Sequence, residues 1–191
     1  MRLKSPYKGK FKVTQIYKGT HHRGIDLVGL DDKTIYSTVN GVVEAARHDT
    51  HPTGGMGLYV RVRENRTNRR YYFAHLSDVY VKQGETIAYG DKIGVEGNTG
   101  HSTGSHLHYE IRIEPNNSTF LDVSKISKIP NKLGVYYMPD IKEISVTVGH
   151  TIMKAKLIDG VTYAPLRELI EAIKSELDVT WDTANGAGIK L

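Results

Sequence analysis

The stretch GNTGHSTGSHLHYEIRI, residues 97–113, decides the reading of this chain. In an extended strand, successive side chains point to opposite faces. From residue 106 onward, Leu107, Tyr109 and Ile111 then share one face, while His106, His108 and Glu110 share the other. The first set suits a core. The second sets two imidazoles beside a carboxylate, which suits a polar site as well as it suits an exposed face with incidental histidines. The glycine-rich segment before it lacks the terminal Gly-Lys-Ser/Thr of a phosphate loop. It reads as a flexible wall that lets a substrate backbone approach.

Outward from this strand the pattern repeats. FKVTQIY (11–17), TIYSTVNGVVEAA (34–46), GLYVRVRE (57–64), RRYYFAHL (69–76), ETIAYG (85–90) and KIGVEG (92–97) are short apolar or alternating runs. Turns rich in Gly, Asn and Asp separate them, and none has a long helical period. Residues 1–125 are therefore predicted to be mainly antiparallel β. Residues 126–134 read as a linker, in a polar segment with two prolines.

Beyond the linker the pattern changes. EISVTV (143–148) and IMKAKLI (152–158) read as paired strands. Pro165 then opens a segment in which Leu166, Leu169, Ile170, Ile173 and Leu177 fall on one helix face. DVTW (178–181) and GIKL (188–191) read as short strands. Residues 135–191 are predicted to form a small α+β domain.

Composition bounds the function. The net charge is +5 and the pI about 9.2, which favours an anionic partner such as nucleic acid, a membrane surface or a wall polymer. Arg63, Arg66, Arg69 and Arg70 form the densest basic stretch and read as a solvated hairpin tip. With no cysteine, thiolate chemistry and disulfides are excluded, so a metal must be held by His, Asp or Glu. The N-terminus lacks the apolar core of a signal peptide. No apolar run approaches a membrane span, and membrane insertion is not expected.

Two further clusters join the first. HHRGIDLVG (21–29) places His22 and Asp26 four apart, and YYFAHLSD (71–78) places His75 at a strand end. Two imidazoles and a carboxylate, with a fourth position open, match a catalytic zinc site. They also match the two-His-one-carboxylate iron set, although His and carboxylate are usually two apart there.

HRGID (22–26), YFAHLSDVYVKQGETIAYGDKIGVEGNTG (72–100) and STGSHLHYEI (102–111) together resemble the lysostaphin-type, or LytM-like, zinc endopeptidases. The likeness covers roughly residues 8–125. It implies an antiparallel β fold with a groove, and zinc-activated water attacking peptide bonds in peptidoglycan. His22, Asp26 and His108 would bind Zn2+, and His75 and His106 would be the catalytic pair. His21, His48, His51, His101 and His150 are left to surface roles.

Residues 158–182 resemble the small domain named after the N-terminal region of copper amine oxidases, which implies no copper. A wall-targeting role is expected for it, with anionic wall polymers as partners through the basic surface. The absent signal peptide fits a phage or prophage endolysin, made in the cytoplasm and released through a holin pore, or a virion-borne lysin. The rival readings are a non-enzymatic wall-binding module or activator, which should have lost metal ligands, and a nucleic-acid binder, which rests on the pI alone. Oligomeric state is not specified by any feature of the sequence.

Overall fold

The computed structural model describes residues 4–50, 55–113, 119–158, 161–177, 180–182 and 186–188. The chain divides into two compact units, Met1–Met138 and Pro139–Leu191. The first holds β1 (Gly9–Gln15), β2 (Ile25–Gly29), β3 (Thr34–Tyr36), β4 (Gly41–His48), β5 (Leu58–Glu64) and β6 (Arg69–Leu76). These are followed by β7 (Asp78–Val79), β8 (Thr86–Ile87), β9 (Lys92–Val95), β10 (Leu107–Ile113), β11 (Thr119–Leu121), α1 (Val123–Ser127) and β12 (Gly134–Met138).

Among the described residues one antiparallel sheet runs β12-β1-β2-β10-β6-β5-β4-β8, with β11 added to β10. A smaller sheet, β3-β9-β7, belongs to the same unit. The alternation of β10 sets this arrangement. Leu107, Tyr109 and Ile111 are fully buried, and they meet Ile25 and Leu27 of β2 and Phe73 of β6 in one core. Each such side chain contributes roughly 1.5–3 kcal/mol by leaving water. The opposite face of the sheet carries the polar set, floored by a small second cluster of Ala45, Tyr59, Tyr72 and Ala74.

The first unit ends later than the sequence alone suggests. Asp122 caps α1 by accepting from the Ser124 N–H, and Lys128 closes it in the left-handed conformation. Ile129 is fully buried. Asn131 exchanges two hydrogen bonds with the Tyr17 backbone, at 2.8 and 3.1 Å. Ile126, Ser127 and Ile129 thus pack into the first unit, and the segment 126–134 leads into its last strand. β12, whose sequence GVYYM alternates, pairs along β1 from Val13↔Gly134 to Gly9↔Met138.

The second unit contains β13 (Ile141–Val148), β14 (Thr151–Ile158), β15 (Val161–Tyr163), α2 (Leu166–Leu177), β16 (Thr180–Asp182) and β17 (Gly186–Gly188). β13 and β14 form a hairpin that turns at Gly149, which has φ 56°. Pro165 precedes the first turn of α2 and accepts from the Leu169 N–H at 3.0 Å. Of the predicted apolar helix face, Leu169, Ile170 and Ile173 are partly covered and Leu166 is exposed. The strand expected at 188–191 lies mostly outside the described residues. No described helix is long and apolar enough to cross a membrane.

Candidate metal centre

β2 and β10 are neighbours, and their register sets Asp26 directly opposite His108. His22 lies in the turn that enters β2. Asp26 Oδ1 lies 2.8 Å from His108 Nδ1 and 3.1 Å from His22 Nε2. The turn comes this close because residue 24 is glycine. A Cβ there would stand 2.5 Å from the Tyr109 carbonyl oxygen and 2.8 Å from His108 Nε2.

Both histidines are held by their outer nitrogens. His22 Nδ1–H donates to the Ile16 carbonyl at 2.8 Å. His108 Nε2–H donates to Glu110 Oε2 at 3.3 Å, and Glu110 pairs in turn with Arg112. These partners fix the tautomers so that His22 Nε2 and His108 Nδ1 face the same point, as outer partners of metal-bound imidazoles do. Glu110 shares the face of His106 and His108, as the alternation predicts, and its part in orienting His108 emerges only from the geometry.

The electrostatics show what the cluster lacks. Burial raises the Asp26 pKa, but hydrogen bonds from His108 and His22 outweigh it and hold the carboxyl well below the usual range. Burial lowers the His108 pKa, yet Asp26 and Glu110 raise it to about 9. Asp26 and His108 thus attract each other strongly across the two strands. His22, Asp26 and His108 each offer one ligand atom, all within 4.8 Å of one another. Two neutral imidazole nitrogens and one carboxylate oxygen, with room for a fourth ligand, fit Zn2+.

Two more histidines flank the cluster. His75, at the end of β6, has φ 65°, a left-handed conformation that is rare outside glycine. Its N–H donates to the Met56 carbonyl at 2.9 Å and its Nδ1–H to the Thr99 carbonyl at 2.8 Å. Burial, with His106 and His108 nearby, lowers its pKa to about 4 against the raising effect of the Thr99 bond. His106 lies just before β10, where its backbone bridges to Gly97. Its Nδ1–H donates to the Gly104 carbonyl at 2.8 Å, and its Nε2 lies 3.8 Å from Asp26 Oδ2. The two rings are 4.7 Å apart between centroids. In each neutral ring, therefore, Nε2 carries the lone pair.

A buried carboxylate that sequence reading passes over ties the site to the core. Glu96 Oε2 accepts from the Tyr7 hydroxyl at 2.6 Å and the Gly29 N–H at 2.8 Å. Oε1 accepts from Lys33 Nζ at 2.6 Å and Ser105 Oγ at 2.7 Å. It joins the end of β2 to the residue before His106. The signal in the sequence is faint: one Glu at the end of the short run KIGVEG, just before a glycine.

All five site histidines and acids line one cleft of about 950 Å³. His21, His48, His101 and His150 are exposed, His101 on the lining of the cleft. His51 lies outside the described residues. The basic stretch is not simply a solvated tip. Arg66 is exposed, but Arg63 and Arg70 turn back with Arg61 onto one carboxylate, Glu44, at 3.1, 3.2 and 3.4 Å.

The chain is similar to known proteins. The chain is 34% identical over 125 residues to peptidoglycan DD-endopeptidase ShyA of Vibrio cholerae, covering 64% of this chain and 28% of that one. It thus spans less than a third of this relative's length. The catalytic domain of the antimicrobial peptidase lysostaphin from Staphylococcus simulans superposes with a TM-score of 0.52 at 28% identity. That match covers 64% of this chain and 92% of that one. A zinc-containing peptidase from Vibrio cholerae matches with a TM-score of 0.50 at 27% identity, over 63% of this chain and 39% of that one. The model of peptidase family M23 matches residues 20–122, a span that contains all five site residues, and the chain belongs to that family.

Proposed function

We propose that this chain is a zinc metalloendopeptidase that hydrolyses peptide bonds in the stem or cross-bridge of bacterial peptidoglycan. The observation that carries this reading is the convergence of His22, Asp26 and His108 beside two further histidines whose Nε2 atoms carry the lone pair. A non-enzymatic binding module has no use for that second pair. The relatives, one a peptidoglycan endopeptidase and two peptidases, support the same class.

Bound zinc would supply Lewis acidity, polarising the carbonyl and bringing the pKa of water to about 7. The chain's own residues do the rest. Glu110 and the Ile16 carbonyl orient the ligand imidazoles. His106 acts as the general base, with Gly104 fixing its tautomer. His75 stabilises the developing oxyanion. Because Thr99 already holds its Nδ1–H, His75 donates from Nε2 only as the imidazolium, with the extra proton taken from solvent and returned when the product leaves. The two roles exchange if His75 takes the first proton.

The second unit is proposed to target the wall. Ile152, Val161, Tyr163 and Leu166 are each more than half exposed there, which is more apolar surface than a passive appendage needs. The decisive test of the enzymatic reading is mass analysis of fragments released from purified peptidoglycan by zinc-loaded protein. New peptide termini that vanish on chelation are expected. Cleavage of glycan alone, or no release from any wall type, would overturn it.

A further inference from the structure

The open face of the sheet carries a graded set of side chains away from the metal cluster. Along β10 the alternation runs His108, Glu110, Arg112. Register places Tyr72 opposite both Glu110 and Arg61, and Arg70 opposite both Arg112 and Arg63. Each step is one side-chain repeat, roughly 7 Å.

Rings and guanidiniums interleave on this face. Arg23 stacks on Phe120 at 4.2 Å, and Arg112 lies between Phe120 at 5.0 Å and Tyr72 at 4.2 Å. Arg61 lies 5.9 Å from the Tyr72 ring. Stacking uses the faces of a guanidinium and leaves its N–H edge to bind a planar anion.

The charges do not balance. Glu44 is shared by Arg61, Arg63 and Arg70, while Glu110 serves Arg112. Among the described residues on this face, five arginines, counting Arg23, meet Glu44 and Glu110, with Asp49 also on the cleft lining. Arg61, Arg112 and Arg23 line the same cleft as the metal cluster. Arg61 lies one side-chain repeat along and two strands across from His108, roughly 12 Å, about the span of three to four residues of an extended peptide. That position suits a group on the substrate peptide itself. A surface for an outlying phosphate polymer would not need to share the cleft.

Resting on the reading of the chain as a wall peptidase, we infer that the arginine row selects peptides bearing a free carboxylate within a few residues of the cut bond. Uncharged runs, such as glycine bridges, are disfavoured. Arg61 is the residue on which to test it. Its loss leaves Glu44 with two partners, whereas loss of Arg112 would leave the buried Glu110 paired with the ligand His108 alone.

The test uses the full zinc-loaded chain and two soluble cross-linked muropeptides that differ only in carboxylate against carboxamide beside the cut bond. The acid form is expected to show at least about a tenfold higher kcat/KM, as charge-assisted forked hydrogen bonds confer. Arg61→Gln should narrow that ratio, chiefly through KM, and Arg61→Lys should restore part of it. Binding of both peptides to the His106→Ala variant is measured in parallel, with poly(glycerol phosphate) as competitor. Equal cleavage and equal binding of acid and amide overturn the inference. So does tight, Arg61-dependent binding of the polymer with no preference for the acid peptide. Selective binding of the acid without cleavage by the unaltered protein upholds the inference and rejects the peptidase reading instead.

Discussion

Ser105 donates its hydroxyl hydrogen to Glu96 at 2.7 Å, so the residue preceding His106 is anchored to a carboxylate fully enclosed in the core. The same carboxylate holds the Gly29 N–H at the end of β2, three residues beyond Asp26. Catalytic and ligand-bearing strands thus share one internal tether.

The tether predicts acid sensitivity. Burial raises the Glu96 pKa, but bonds from Lys33, Tyr7, Ser105 and Gly29 lower it further, for a net depression below 4.5. The folded value lies below the unfolded one, so this contribution is complete above the ordinary glutamate range. It is lost as pH falls through the folded value. Glu96→Gln should cost about 1–3 kcal/mol at neutral pH and shrink the loss of Tm between pH 5 and 3, an interval chosen to bracket that range. A Tm profile unchanged in shape would show that the tether contributes nothing.

Gly24 gives a steric prediction. Gly24→Ala must displace the His108 ring or the Tyr109 backbone, since the new methyl would stand 2.5–2.8 Å from both. Zinc affinity should fall at least about tenfold, the scale of disturbing a ligand's support. Circular dichroism should remain that of a folded β protein. Native zinc affinity in this variant would contradict the turn described here.

Ligands and catalysts separate by substitution. His108→Ala should lose both zinc and activity, and His106→Ala or His75→Ala should keep zinc while turnover falls about 10²–10³-fold. The core around Leu107, Tyr109 and Ile111 is built from apolar side chains and includes none of the metal ligands, so the apo protein should stay folded, unlike a zinc finger. Metal analysis and far-UV spectra on each variant check both points. Full loss of zinc from His106→Ala would reassign the ligands.

The boundary of the first unit is testable by truncation. A fragment ending at Met138 keeps β12 and should cut soluble muropeptides while lysing cells less well than the full chain. A fragment ending at residue 130 removes the strand that covers Phe11 through Tyr136, whose rings lie 6.0 Å apart. It should be less stable and prone to aggregate, because it bares the edge of β1. Equal lysis by the 1–138 fragment and the full chain would reject wall targeting.

The strands are legible because they obey local rules, and the five candidate site residues stand in three local clusters that the family resemblance joins. The alternation of residues 106–111 assigns the two faces of β10 without knowledge of its neighbours. HRGID couples a turn glycine to an inward carboxylate. What escaped notice depends on partners distant in the chain. Glu96 finds Tyr7, Gly29 and Lys33, far from its own turn. Arg61, Arg63 and Arg70 look like a charged tip until the irregular register between Val43 and Ala45 brings Glu44 against them. The left-handed backbone of His75 follows from carbonyls at Met56 and Thr99, which no local pattern announces.

Asp26 and His108 touch across β2 and β10, yet 82 positions of chain separate them. Translation proceeds at roughly 5–20 residues per second, so the second of these residues is made about 4–16 s after the first. During that interval the emerging polypeptide owns two ligands and no third, and a stray ion has nothing to lock onto. Metal capture therefore waits for the second of these two strands. A product stopping short of residue 108 lacks the third ligand of the cluster.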